Sequence, residues 1–204
     1  MKATSFRTAG LLLATLLAAG CARKSALLKV LQARTSAIAG VGVCGTVSEL
    51  EIVDQRQGVS ERDLRVPTFS RPGQRDEVRP PLSDTLRSVI ADEVGRRVRG
   101  TPTPVAVAVR ITEGVQGFRA RSMAEQETVR WAVELSVRSV HGNVTATTEL
   151  EALIQSGDAS LAFVERLSAE TLRGAVAQAL EHAAGRMLPE ARACRPEPAA
   201  PAAS

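Results

Sequence analysis

The segment that decides the fold is Val129-Arg130-Trp131-Ala132-Val133-Glu134-Leu135-Ser136-Val137-Arg138, in which apolar and polar residues alternate. A period of two places the apolar side chains on one side of a β-strand and the polar side chains on the other. Such a strand belongs to a sheet that is covered on one face and solvated on the other.

Three further segments show the same alternation. Val105 to Ile111 places a branched apolar residue at every second position, and Val144 to Ile154 alternates apolar residues with threonine and glutamate. His141-Gly142-Asn143 supplies turn residues before the last of these segments, which predicts a β-hairpin. Val47 to Asp54 alternates more weakly and is interpreted as a fourth strand.

Two segments have the apolar spacing of amphipathic helices. Leu82 to Val98 carries apolar residues three and four positions apart, with Ser83 at its start and Gly100 beyond its end. Ser168 to Met187 has the same spacing. The order β-α-β-β-β-α predicts an α+β two-layer sandwich with two helices on one face of a mixed sheet of about four strands. The β-α-β unit makes its two strands parallel if they share the sheet.

The long segment before the first helix, residues 55–81, carries six arginines and four prolines. Leu64 to Phe69 is a candidate for a short edge strand, the place in a sheet where proline is tolerated.

Residues 114–126 join two predicted strands and combine apolar with basic side chains. They hold Phe118 and Met123 beside Arg119 and Arg121. A loop tip of this kind suits contact with a partner or with lipid head groups. The alternative is an ordinary long hairpin whose phenylalanine folds back on the core.

The chain begins with the features of an export signal. Lys2 and Arg7 precede the apolar stretch Leu11 to Ala19, and small residues lead to Cys21. The apolar run is about 11 residues long, whereas a membrane-spanning helix needs roughly 20. The run Leu16 to Cys21 resembles the lipobox of bacterial lipoproteins, with alanine in place of leucine three residues before the cysteine. The alternative is an ordinary signal peptide with an accidental cysteine.

The lipobox resemblance implies cleavage before Cys21, a thioether-linked diacylglycerol on it and acylation of the new N-terminus. Two or three acyl chains anchor a protein stably where one is marginal. Ala22, rather than aspartate, follows the cysteine, which implies the periplasmic face of the outer membrane. The chain then divides into a signal peptide (1–20), a lipidated N-terminus and basic tether (21–45), an α+β domain (46–190) and a disordered Pro/Ala-rich tail (191–204).

The sequence pI of about 9.5 misrepresents the folded part of the chain. Between Gly45 and Glu190 there are 18 arginines, no lysines and 21 acidic residues, a net charge of −3. The excess positive charge lies in the tether, which either rests on anionic head groups or is solvated; its basic residues are Arg23, Lys24, Lys29 and Arg34. A slightly acidic, exported domain with few aromatic residues gives no support to nucleic-acid binding.

Two cysteines remain once Cys21 carries lipid. Cys44 and Cys194 flank the predicted domain, and the periplasm permits disulfides. A bridge between them would close a loop of about 150 residues and add roughly 5 kcal/mol on a chain-entropy basis. Two unpaired thiols are the alternative.

Motifs for catalysis or metal binding are weak. Residues 40–45 match the glycine pattern of dinucleotide sites, but a strand follows that pattern here instead of preceding it. His141 and His182 have no second ligand at metal-binding spacing. The sequence has no G-x-S-x-G, H-E-x-x-H or P-loop motif. We therefore expect no catalytic site, no metal and no cofactor.

The whole pattern resembles the YajG-type periplasmic lipoproteins over roughly residues 47–188. The shared features are the lipobox, a strand ending in Asp54-Gln55-Arg56, a helix starting near Leu82, a Gly142-Asn143 hairpin and a long terminal helix. The LptE-type lipopolysaccharide-assembly lipoproteins, which support an outer-membrane β-barrel, share the element order. Fold order alone does not transfer function.

These resemblances imply a non-enzymatic lipoprotein whose sheet edge or 114–126 loop contacts another envelope component. An accessory subunit of a lipid or lipopolysaccharide transport or outer-membrane assembly machine is the first alternative. Its partner would be an outer-membrane barrel or an envelope transporter. A periplasmic enzyme is the second alternative.

Overall fold

A sheet with both helices on one face forms the domain in a computed structural model, which describes residues 42–122, 124–156 and 160–187. The predicted α+β two-layer sandwich is confirmed. The elements in chain order are β1 (Val43–Asp54), β2 (Arg75–Val78), α1 (Asp84–Arg97), β3 (Val98–Ala120), β4 (Glu125–Ser139), β5 (Gly142–Ser156) and α2 (Leu161–Arg186).

The sheet has the order β1-β3-β4-β5, and the short β2 pairs with β3 as well. β1 runs parallel to β3, as the β-α-β unit predicts, from the pair Val43–Val98 to the pair Asp54–Ile111. β2 pairs antiparallel with residues 116–119 of β3. We call the end at which β1 and β3 begin the tether end, and the end that carries β2 the far end.

The core lies between the two helices and one face of the sheet, the helix face. Each helix begins at a serine whose hydroxyl accepts a hydrogen bond from a backbone N–H three residues on, both at 3.3 Å, which satisfies a free donor of the first turn. These residues are Ser83 and Ser160. The apolar side chains of the central strands are fully buried beneath the helices; in β4 they are Val129, Trp131, Val133, Leu135 and Val137.

The opposite face of the sheet, the open face, carries charged and small polar residues. Ion pairs cross its strands, including Arg110–Glu134 at 3.0 Å between register partners on β3 and β4. Arg130 of β4 lies 2.7 Å from Glu113 of β3, a diagonal neighbour whose register partner is Ala132. Exposed pairs of this type contribute up to about 1 kcal/mol each, so the open face adds little to stability.

The interpretation of residues 114–126 as a loop is wrong over most of its length. β3 continues to Ala120 and β4 begins at Glu125, so most of the predicted loop is strand. A β-bulge lies between Ile111 and Glu113 and shifts the alternation of β3 by one residue. Because of that shift, Gly114 and Phe118 continue the helix face.

Three other boundaries differ from the sequence prediction. Leu64 to Phe69 is not a strand; the short edge strand is β2, which has one buried apolar residue, Val78. α2 begins at Leu161, two turns before the predicted Ser168. β1 begins at Val43, so the last residues of the predicted tether (21–45) belong to the strand. No helix within the described ranges is long and apolar enough to cross a membrane.

Candidate functional site

A buried arginine lies just beyond the end of β1. The Arg56 side chain is 2% exposed and donates two hydrogen bonds to the Asp54 carboxylate, from Nη2 at 2.6 Å and from Nε at 2.8 Å. Its guanidinium carbon lies 5.1 Å from the centre of the Trp131 ring, so the cation also rests on an aromatic face. The hydrogen bonds from Arg56 are the main cause that lowers the pKa of Asp54.

The same tryptophan connects the sheet to α2. Trp131 Nε1 donates a hydrogen bond to Ser168 Oγ at 3.0 Å in the buried interior. Gly114 lies opposite Trp131 in the register, and a Cβ there would come within 2.3 Å of the ring and 2.5 Å of Arg56 Nη1. These contacts hold β1, β3, β4 and α2 together, so we assign the Asp54-Gln55-Arg56 element to the scaffold.

A second buried ion cluster joins the two helices. Arg97 at the end of α1 donates from Nε to buried Glu93 at 2.5 Å and from Nη1 to Glu181 of α2 at 2.6 Å. Burial alone would lower the pKa of Arg97, but the hydrogen bonds to both glutamates outweigh it and raise the pKa. This cluster fixes the helices at the tether end and leaves their N-terminal turns apart at the far end.

A cavity of about 350 Å³ lies between those N-terminal turns. Gln116 of β3 lines it; this residue is 6% exposed, and its side chain makes no hydrogen bond with any described residue. Asp63 and Glu165 also line it, so an anion is disfavoured. A neutral ligand with an apolar body and a hydrogen-bonding group fits best, because most of the remaining wall is apolar; Leu64, Leu86 and Leu161 belong to it.

The titratable groups with shifted pKa values are engaged in ion pairs. For Asp76, burial would raise the pKa, but hydrogen bonds from the Arg65 backbone and the Arg62 side chain outweigh it and lower the pKa. His141 lies in the turn between β4 and β5, and His182 is exposed on α2. Within the part of the chain that the structure describes, no group of three or more His, Cys, Asp or Glu residues is placed to hold a metal ion.

The residues predicted for partner or membrane contact separate into buried and exposed ones. Phe118 is 2% exposed and faces the core, which matches the alternative of a long hairpin with its phenylalanine folded inward. Arg119 and Arg121 are exposed at the far end. Met123 lies outside the described residues. Only the two arginines among the described three are therefore available to a partner.

Only one of the three cysteines, Cys44, lies within the residues that the structure describes. Cys44 is buried in β1 and is disulfide-bonded. Cys21 and Cys194 lie outside the described residues. Lipidation at Cys21 and the specific Cys44–Cys194 pairing therefore stay predictions.

The far end presents residues that the sequence prediction did not single out. Phe69 is 90% exposed, although it was predicted to lie in an edge strand. Its neighbour Ser70 hydrogen-bonds through its hydroxyl to Glu125 at the start of β4, which fixes this segment against the far end. Arg75 of β2 lies directly opposite Arg119 of β3. The density of arginines in residues 55–81 is a sequence signal that could have indicated this region, but the sequence prediction drew no functional conclusion from it.

The sheet has two lateral edges. β5 pairs with β4 over its whole length, from Gly142 to Ser156, and no strand among the described residues pairs with its other side. One carbonyl of β5, at Thr145, accepts a hydrogen bond from Arg186 Nη1 at 2.9 Å. At the opposite edge, the Ile52 carbonyl of β1 accepts one from Arg87 at 3.1 Å. With 15 residues against 12 in β1, β5 is the longer of the two edges.

No protein-family model matches this chain, and no curated protein matches it by sequence. The resemblance to the YajG-type and LptE-type lipoproteins therefore stays a prediction.

Proposed function

We propose that this protein is a lipoprotein anchored to the outer membrane through Cys21, that it faces the periplasm, and that it acts as a non-catalytic interaction module of the cell envelope. The lipobox supports the anchor, and a disulfide at Cys44 is compatible with an oxidising compartment. β1 begins at Val43 at the tether end, and no strand within the described residues pairs with the outer edge of β5.

The observation that carries this proposal is the edge strand β5. It has 15 residues, whereas strands in globular proteins usually have about 3 to 10. A long unpaired edge presents backbone N–H and C=O groups to another chain, and natural proteins normally shorten or cover such an edge. An extended segment of a partner can therefore add to the sheet beside β5 by β-augmentation.

The side chains of β5 indicate the chemistry of that partner strand. On the open face, Thr147, Glu149 and Glu151 alternate with buried residues and are exposed. Glu149 has only a distant ion pair with Arg130, at 3.9 Å. A partner strand with basic or hydroxyl side chains at every second position would match this row.

Site-specific photocrosslinking in intact cells tests the edge. A photoreactive amino acid at Thr147 or Glu151 should give one discrete crosslinked envelope protein, whereas the same residue at exposed Asp92 of α1 should not. A near-stoichiometric β-barrel or transporter would make the protein an accessory subunit that uses this edge. Crosslinks that are absent from β5, or equal at Asp92, would refute the edge as the interaction surface.

The anchor needs its own test. Cys21→Ser should abolish acylation and signal cleavage before residue 21, detected by metabolic labelling with a clickable fatty acid and by the mobility of the protein. Wild-type protein should fractionate with outer membranes. If the variant is still cut and retained as before, the lipoprotein assignment is wrong.

A further inference from the structure

Two arginines face each other at the far end without acidic partners. Arg75 of β2 and Arg119 of β3 are register partners in an antiparallel pair, and both are exposed. Within the described residues, neither forms an ion pair or a hydrogen bond through its side chain. Directly opposed like charges destabilise a strand pair, so this arrangement costs stability in the absence of a ligand.

The two arginines flank a hollow of about 370 Å³ on the open face. Gly117, the next open-face residue of β3, forms its floor because it has no side chain. Its register partner Thr128 leans over it, since a Cβ on Gly117 would lie 2.5 Å from the Thr128 hydroxyl. The size of the hollow falls within the range of small-ligand sites.

A hydroxyl and an amide complete the walls. Thr128 offers its hydroxyl, and Gln126 of β4, the other register partner of Arg119, offers its amide. Gln126 Oε1 is buried and makes no hydrogen bond within the described residues, so it is an unsatisfied acceptor that a rotation of the amide brings to a ligand hydroxyl. The hollow therefore combines two cations with one hydroxyl and one acceptor.

Two acidic residues of β2 also line the hollow, Asp76 and Glu77. Asp76 alternates to the other face, where Arg62 Nη1 and the Arg65 backbone N–H hold its carboxylate at 3.0 and 2.8 Å. Exposed Arg121 follows β3 directly and adds positive charge at this end. Two arginines and two acidic residues thus line the hollow, but the Asp76 carboxylate is already paired with Arg62, so only Glu77 offsets the two free guanidinium groups.

We infer that the hollow over Gly117, which we call the arginine hollow, binds a phosphate-bearing group. Guanidinium groups donate paired, charge-assisted hydrogen bonds to phosphate oxygens, and two of them opposite each other can hold one phosphate from both sides. The Gln126 acceptor suits a neighbouring hydroxyl, as in a phosphoglycerol. For an envelope protein, a role that rests on the proposed function, the matching source is a phospholipid head group.

Titrations of the mature protein in zwitterion-free, non-ionic detergent micelles test the site. Arginine side-chain Nε–Hε signals would be followed by NMR while glycerol 3-phosphate or short-chain dihexanoyl phosphatidylglycerol is added. Both should shift the Arg75 and Arg119 signals, and the lipid should saturate them at the lower concentration. A tighter response to glycerol 3-phosphate would keep the phosphate site and identify a soluble phosphate ester as its ligand.

Matched variants separate the hollow from general surface charge. Arg75→Gln and Arg119→Gln should each weaken binding about tenfold or more, as expected for the loss of a charge-assisted contact. Arg110→Gln, which removes an arginine from the same face outside the hollow, should leave the affinity unchanged. Glycerol alone should shift no signal.

The site is refuted if neither compound shifts the Arg75 and Arg119 signals, or if Arg110→Gln weakens binding as much as Arg119→Gln. Either result would leave the β5 crosslinks and the Cys21 anchor untouched, because those experiments read other residues. Failure of the anchor or of the crosslinks, in turn, would leave the phosphate titration valid and would change only the source of the ligand.

Discussion

The two halves of β3 are held in the sheet by different means. From Val105 to Ile111 the strand lies between β1 and β4 and sends a branched apolar side chain into the core at every second residue. From Gly114 to Ala120 it lies between β2 and β4, where it has two glycines and a buried glutamine. Apolar burial fixes the first half, whereas the second half combines buried Phe118 and Ala120 with close packing of Trp131, Arg56 and Thr128 onto its glycines.

The difference teaches where stability and recognition reside in this domain. The cavity lined by Gln116, the arginine hollow and the exposed Phe69 all lie along or beside the second half. Polar contacts there depend on precise geometry and can recognise a ligand, whereas apolar burial in the first half supplies most of the stabilisation. We expect substitutions to affect stability most in the first half and binding most in the second.

The largest effect should come from Val133→Asp in the apolar half. Val133 is buried opposite Ile111, and a carboxylate there would have no partner, so the loss should exceed about 4 kcal/mol and unfold the domain. Its neighbour Glu134 faces the open side and pairs with Arg110, so Glu134→Ala should cost at most about 1 kcal/mol. Urea unfolding followed by circular dichroism measures both. Equal losses would show that the two faces are misassigned.

Gly114→Ala should give the next largest loss, in the polar half. Its methyl group would overlap the Trp131 ring and the Arg56 guanidinium, and moving either disrupts the ion pair, at a cost of about 2–3 kcal/mol. The identical change at Gly185 of α2 has open space around it and should stabilise the protein by about 0.5–1 kcal/mol. If both variants have the same free energy of unfolding, the packing of Arg56 on Trp131 does not support the strand.

The apolar half could be predicted from the sequence and the polar half could not. Alternation in Val129 to Val137 and in Val105 to Ile111 reports side chains that are buried for their hydrophobicity alone. The bulge after Ile111 then changes the phase of β3, so its later core positions fall on Gly114, Gln116 and Phe118. Glycine and glutamine at core positions give no apolar signal, and residues 114–126 were therefore predicted as a loop. The start of β4, Glu125-Gln126-Glu127-Thr128, is polar throughout and gives no alternation either.

The candidate sites depend on pairings that no local pattern encodes. β2 has the sequence Arg75-Asp76-Glu77-Val78, with a single buried apolar residue, and it becomes a strand only because β3 offers an edge. Only that long-range pairing places Arg75 opposite Arg119. The sequence did indicate Arg119 and Arg121 as exposed contact residues, but it could not supply their partner.

Acid should weaken the polar half through Asp54. Because its pKa is lower in the folded protein than its ordinary value of 3.8, the stabilisation is fully present above that value and is lost as the pH falls through the folded pKa. Asp54→Asn should cost about 1.5–2 kcal/mol at neutral pH and flatten this acid limb in unfolding measurements from pH 7 to 3. Asp76, whose pKa is also lowered, should retain its own part of the limb. If Asp54→Asn leaves the pH dependence of the free energy of unfolding unchanged, groups other than Asp54 cause the acid limb.

The smallest expected effect is a gain in stability instead of a loss, and it separates binding from folding. Arg119→Gln relieves the repulsion with Arg75 and should stabilise the ligand-free domain by about 0.2–0.5 kcal/mol, a gain that shrinks as salt is added. Arg110→Gln breaks an ion pair with Glu134 and should destabilise by a similar amount.

Glycerol 3-phosphate should reverse the order of stability of the wild type and Arg119→Gln. It should raise the melting temperature of the wild type and leave that of Arg119→Gln unchanged, because only the wild type keeps both guanidinium groups of the arginine hollow. If Arg119→Gln is destabilising without the ligand, the two arginines do not repel each other, and the second half of β3 carries no cost that a phosphate could offset. If it is stabilising, the chain keeps an unfavourable pair at a solvent-exposed position where a neutral residue would serve the fold better, which points to selection for binding.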